Sequence, residues 1–126
     1  MARAKEPVSE KQQLKERLAR YREIKITVIG RNSGRKSSRP VWFVLEGDKL
    51  YLLAVSGSDT QWYKNILQNP WIRIDAQGVG AEFQAHPITD PNTIKSVVQK
   101  FREKYGAADV KKYYSKFDAA VEVDLS

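Results

Sequence analysis

The chain has 126 residues, 41% of them apolar and 29% charged, with a formal net charge of +7, a profile expected of a single domain over residues 1–126 with one core. It contains no cysteine and one histidine, His86, which excludes disulfides, iron–sulfur clusters and cysteine nucleophiles and leaves little for a multi-histidine metal centre or a Ser–His–Asp triad. No apolar run approaches the roughly 18–20 residues of a membrane span, and the opening residues lack the apolar stretch of a secretion signal, so a cytoplasmic protein is expected.

Ser9, followed three residues later by Gln12, has capping-box spacing, and Leu14, Leu18 and Tyr21 recur at helical intervals, which predicts a helix over 10–22 within a basic N-terminal extension, residues 1–23. From Ile24 the period changes to two: Ile24, Ile26 and Val28 mark a strand that Gly30 ends. Arg31 to Ser38 hold no large apolar side chain and read as a polar loop before Arg39-Pro40. Val41–Leu45 and Leu50–Val55 flank Glu46-Gly47-Asp48-Lys49 as a hairpin. Trp62, Ile66 and Leu67 place a short helix over 60–68 before Asn69-Pro70. Trp71–Ile74 and Val79–Pro87 form a second hairpin around Asp75-Ala76-Gln77-Gly78, with His86 as a surface residue near the end of its strand.

Asp90-Pro91 is an N-cap followed by proline at the first helical position, and Ile94, Val97, Val98 and Phe101 share one face up to Gly106, predicting a helix over 91–105. A second short helix follows over 107–116, and 117–125 alternates as a closing strand. About six antiparallel strands with peripheral helices describe a mostly β protein, a small barrel.

The positive charge is local. Residues 1–39 hold twelve Lys/Arg against four acids, a net +8, while the rest of the chain carries −1. Gly30–Pro40 is the richest segment. Gly30 and Gly34 allow the backbone to bend, Ser33, Ser37 and Ser38 offer hydroxyls, and Arg31, Arg35, Lys36 and Arg39 supply charge, a combination suited to a phosphate. The order is neither that of a Walker motif nor that of a GxGxxG turn.

Thr27-Val28-Ile29-Gly30-Arg31-Asn32-Ser33-Gly34, then Arg39-Pro40-Val41-Trp42-Phe43-Val44 and Gly47-Asp48-Lys49-Leu50-Tyr51, resemble the opening of the deazaflavin-dependent nitroreductase-like proteins. Gln61-Trp62-Tyr63-Lys64-Asn65-Ile66 with Gln68-Asn69-Pro70 is similar to a later block of the same family. The family belongs to the flavin/deazaflavin oxidoreductase superfamily, which shares the split β-barrel of pyridoxamine phosphate oxidase, an FMN-binding-like fold. The resemblance covers about residues 24–90. It implies a cofactor, coenzyme F420 or alternatively FMN, with its ring against the Trp42 strand and its phosphate in the glycine–arginine loop. Arg31, Ser33 and Gly34 match the family motif, with Arg35, Lys36 and Arg39 as further basic candidates. Ser56 and Gly57 fall where the family places a second small-residue turn near the cofactor, and Trp62 and Asn65 fall in the following block. Tyr113 and Tyr114 are candidates for a cap over the ring or a proton donor to substrate.

The expected function is hydride transfer from the reduced cofactor to an electron-poor small molecule, an enone, a quinone or a nitro compound, with no metal. A non-catalytic cofactor carrier needs the same loop and stands as the alternative. A basic nucleic-acid-binding module is the third reading, since the +8 third of the chain would meet phosphates. Barrels of this kind often pair across a two-fold axis, so a homodimer is expected.

Overall fold

A computed structural model describes residues 10–126; the expected Ser9 cap and the earlier part of the basic extension lie outside that range. The elements in chain order are α1 (Glu10–Leu18), β1 (Glu23–Ile29), β2 (Lys36–Trp42), β3 (Val44–Glu46), β4 (Lys49–Leu53), α2 (Gln61–Gln68), β5 (Trp71–Ala76), β6 (Val79–Ile88), α3 (Pro91–Tyr105), α4 (Ala107–Tyr113) and β7 (Ala120–Asp124). The seven strands form one sheet in the order β2-β1-β5-β6-β7-β4-β3, and every neighbouring pair is antiparallel. The two edge strands, β2 and β3, are consecutive in the chain and separated only by Phe43, so the sheet curls into a half-barrel.

This is the expected split-barrel architecture with two corrections in its second strand. The expected polar loop Arg31–Ser38 is a tight turn that already gives way to β2 at Lys36, whose Lys36, Ser37, Ser38 and Arg39 pair with Ile29, Val28, Thr27 and Ile26. The expected strand Val41–Leu45 breaks in two at Phe43, which raises the count from six strands to seven. Phe43 leaves the ladder because its backbone is held from elsewhere: its N–H donates to the Tyr105 hydroxyl at 3.1 Å, and its carbonyl accepts from Lys104 Nζ at 2.8 Å and lies 2.8 Å from the same hydroxyl. The side chain of Phe43 meanwhile points into the core.

The helices end earlier than their periodicity suggests. α1 stops at Leu18, where Arg20 N–H closes a tight turn onto the Arg17 carbonyl at 2.9 Å, and α4 stops at Tyr113. α3 runs over the expected residues, with the Asp90 carboxylate accepting from Thr93 N–H at 2.9 Å as its cap.

Two apolar clusters form the core. Leu14 and Leu18 of α1, Ile24, Ile26 and Val28 of β1, Ile72 and Ile74 of β5 and Trp62 and Ile66 of α2 fill the barrel. Ile94, Val97, Val98, Phe101 and Tyr105 of α3, with Val110 and Tyr114, cover Val44, Leu53 and Ala120 on the outer face of the β3-β4-β7 half. α1 is thus part of the barrel core through its two leucines. Among the described residues no helix is long and apolar enough to cross a membrane, and no cluster of metal-ligating side chains occurs. His86 is exposed on β6, opposite Glu122.

Candidate functional site

A cavity of about 760 Å³ opens beside the second half of β2, where the barrel meets the helical layer. Its wall is built from four places: Arg39–Trp42 of β2, Leu53 to Ser56 at the end of β4, Asp59–Trp62 at the start of α2, and Tyr113–Tyr114 at the end of α4, with Glu23 at one side. That volume lies within the roughly 300–1,000 Å³ of sites for cofactors and small molecules.

The aromatic wall is rigid. Trp42 stacks on Tyr105 with ring centroids 4.2 Å apart and an interplanar angle of 6°, and Tyr113 meets it edge-on at 5.5 Å. Tyr105 is itself pinned, its hydroxyl 2.6 Å from the Arg22 carbonyl and bonded to the Phe43 backbone, so Trp42 is fixed through a neighbour that cannot turn. Burial pushes the Tyr105 hydroxyl up to about 12 and raises that of Tyr114 further still, so both keep their protons at neutral pH. Tyr113, in contrast, is 51% exposed and stands at the cavity mouth.

The cavity's charges are unequal in their commitments. Asp59 is paired with Lys116 at 3.4 Å, and Lys116 also reaches Asp118 at 3.6 Å. The Arg39 side chain, by contrast, makes no ion pair or hydrogen bond with any described residue. Its guanidinium keeps five donors for something else.

The glycine–arginine turn lies next to the cavity and supports it from behind. Gly34, at φ 72°, turns the chain; Gly30 N–H donates to the Arg35 carbonyl at 2.7 Å, Gly34 N–H to the Gly30 carbonyl at 2.9 Å, and Arg35 N–H to Ser33 Oγ at 3.1 Å. Arg31 binds α2: its backbone N–H reaches Asn65 Oδ1 at 3.1 Å, while its guanidinium reaches the same oxygen at 2.8 Å and Gln61 Oε1 at 2.7 Å. These donors, expected to face one anion, are engaged within the protein. Because Arg31 claims the Gln61 oxygen, the Gln61 amide nitrogen is left as a donor on a residue that lines the cavity.

Of the residues expected at a site, Arg39, Trp42, Ser56, Trp62, Tyr113 and Tyr114 converge on this cavity. Trp62 is only 2% exposed and serves mainly as barrel core. Arg31 and Asn65 form the clamp behind Gln61, and Ser33, Gly34 and Arg35 form the turn. Lys36 sits over the Trp71 ring at 5.2 Å, away from the cavity. Gly57, at φ 56°, lets the chain pass against Asp118, whose carboxylate occupies the place of a Cβ. Glu23, Asp59 and Thr60 are lining residues that no motif signalled, and Gln61 lies in the later family block but is not among the expected site residues. Asp59, Thr60 and Gln61 could have been found as the end of a strand-end turn, the N-cap of α2 and its first residue.

The family described as "Uncharacterized protein conserved in bacteria (DUF2255)" matches residues 14–122. A search of curated proteins gave no match. Among solved structures, an F420-H2 dependent reductase, FDR-A, is similar at a TM-score of 0.62 and 20% identity over 81% of this chain and 93% of that one. HutZ, a haem storage protein of Vibrio cholerae, gives 0.65 at 15% identity over 89% and 87%. A candidate pyridoxamine 5'-phosphate oxidase from Listeria innocua gives 0.65 at 12% identity over 91% and 92%. At these identities the likeness is one of fold, and the fold is that of the superfamily the motifs resemble.

Proposed function

The chain belongs to the DUF2255 family of bacterial proteins, and from the cavity its fold builds we propose that it is a reductase that seats a deazaflavin (coenzyme F420), or alternatively FMN, against Trp42. The observation that carries this reading is the pairing of a fixed aromatic wall with an uncommitted guanidinium in one cavity. A flat conjugated ring needs the first and its anionic tail needs the second, so the residues present fit such a group. When bound in reduced form, that group supplies the hydride for an electron-poor enone, quinone or nitro compound.

The chain's own part is positioning. Trp42 and Tyr113 wall the ring and exclude water, Arg39 holds the anion, and the Gln61 amide nitrogen, aimed by Arg31, donates a hydrogen bond to an acceptor on the ligand. The Tyr114 hydroxyl stays protonated, so it can donate without ionising. A homodimer in the cytoplasm belongs to the same proposal, supported by the exposed edge that β2 offers to a second copy.

The test is titration of purified protein with F420 and with FMN while tryptophan fluorescence is followed, then an assay for oxidation of reduced F420 by menadione. Quenching with turnover supports a reductase. Quenching without turnover makes the protein a carrier, and no quenching by either compound removes both.

A further inference from the structure

We propose that the Glu23 end of the cavity is a subsite for a flat organic cation, held by the Glu23 carboxylate and the aromatic corner of Trp42 and Tyr113. Glu23 is the first residue of β1 and stands directly across from Trp42 of β2, so the two side chains leave the sheet on one face as cross-strand neighbours. Both line the cavity. Trp42 and Tyr113 meet at 80° with ring centroids 5.5 Å apart, and the Tyr114 ring lies 6.0 Å from Trp42 at 46°. Aromatic faces carry negative charge density, and rings set at angles around one space are the arrangement that recognises organic cations.

The carboxylate beside this corner is uncommitted. The Glu23 side chain makes no ion pair or hydrogen bond with any described residue. The cations around it are engaged elsewhere or stand apart. Arg22 reaches the Lys104 carbonyl at 3.5 Å with its guanidinium 5.0 Å from the Tyr105 ring, and Lys104 donates to the Phe43 carbonyl at 2.8 Å. Lys25, the next residue on the same face of β1, stands across from Asp75 and does not pair with Glu23. Arg39 lies three positions before Trp42 on β2, so it leaves the strand on the opposite face, and it makes no pair with Glu23 either. Asp59, the cavity's other carboxylate, is taken by Lys116 at 3.4 Å. The cavity is therefore bipolar, with a free guanidinium on one side and a free carboxylate on the other.

A neutral guest of the same shape gains the aromatic contact and nothing from Glu23, and an anionic one is repelled there. A positive charge on a conjugated ring also makes that ring electron-poor, so the guest has the character of the hydride acceptor. Its role as acceptor rests on the reductase reading; its binding at Glu23 does not.

The full chain, without cofactor, is titrated by calorimetry at pH 8 with N-methylquinolinium and with 4-methylquinoline, which is uncharged at that pH and has the same heavy-atom count. The cation is expected to bind about tenfold tighter than the neutral compound. Glu23→Gln should weaken the cation about fivefold and leave 4-methylquinoline unchanged, which also shows that the variant keeps its cavity. Equal affinities for the two compounds in the native chain, or a cation affinity that Glu23→Gln leaves unaltered, overturn the proposal. The F420 titration is read separately: its failure removes the acceptor role and leaves the cation subsite, whereas failure of the quinolinium titration leaves the reductase reading standing.

Discussion

Replacing Tyr105 by phenylalanine removes one oxygen and tests the corner on which the cavity wall depends. The ring survives, so its 4.2 Å stack on Trp42 and its place in the helical cluster are kept. Lost is the acceptor 3.1 Å from the Phe43 N–H, which leaves a buried donor unpaired at a cost of about 1–3 kcal/mol. The Phe43 carbonyl keeps Lys104 at 2.8 Å, so the corner weakens and does not collapse. Urea unfolding at neutral pH reads the loss as a lower midpoint with an unchanged slope.

The pH dependence supplies an independent check. Tyr105 ionises near 10.0 when unfolded and near 12 when folded, so the stability it contributes is intact below pH 10 and is lost as pH rises from 10 to 12. At pH 11 that single group accounts for a loss of about 1.4 kcal/mol, which the phenylalanine variant does not suffer. Tyr114, also raised, chiefly by burial, adds a loss of the same sign in both proteins, smaller in the variant because Tyr105 contributes to its shift. Lys104 acts oppositely: its pKa is depressed to about 8, so the folded state binds fewer protons and stability rises with pH between about 8 and 10.5. Parallel stability curves for the two proteins from pH 10 to 12 would refute the buried, pinned hydroxyl.

Three further substitutions probe the cavity's frame, its cation and a lysine outside it. Gly57→Ala forces a Cβ into the Asp118 carboxylate at a positive φ, and thermal unfolding should show a loss of about 1–3 kcal/mol. Arg39→Ala should weaken binding of F420 or FMN by about 1–3 kcal/mol in the fluorescence titration, while Lys36→Ala, whose ammonium stands over Trp71, should leave it unchanged. Equal weakening by both would place the anion along the whole edge strand and not in the cavity.

The parts of the fold legible in the sequence are those whose causes are local. α3 could be read to the residue because Asp90, Pro91 and Gly106 punctuate it and its apolar face repeats at helical spacing. β2 was hidden because Lys36, Ser37, Ser38, Arg39 and Pro40 are all exposed and carry no apolar alternation; backbone pairing with β1 alone makes them a strand. The corner at Phe43 was hidden for a different reason, since the hydroxyl that holds it lies 62 residues away in the chain. The candidate site divides along the same line. Trp42 and Arg39 stand out by residue type and motif, whereas Gln61 and Asp59 are ordinary polar residues whose place on the wall comes from how α2 enters the sheet.

β2 has one further consequence, for motion. It is held by its pairing to β1, by the Thr27–Ser38 hydroxyl contact at 2.7 Å and by the Arg31 clamp at its tip, while its first five residues are exposed. Detaching those residues exposes little apolar surface, so fraying this end of the strand costs little burial. Its far end, at Arg39 to Trp42, is also the margin of the cavity. Fraying there would loosen the margin at Arg39 and Pro40 while Trp42, held by its stack on Tyr105, keeps its place.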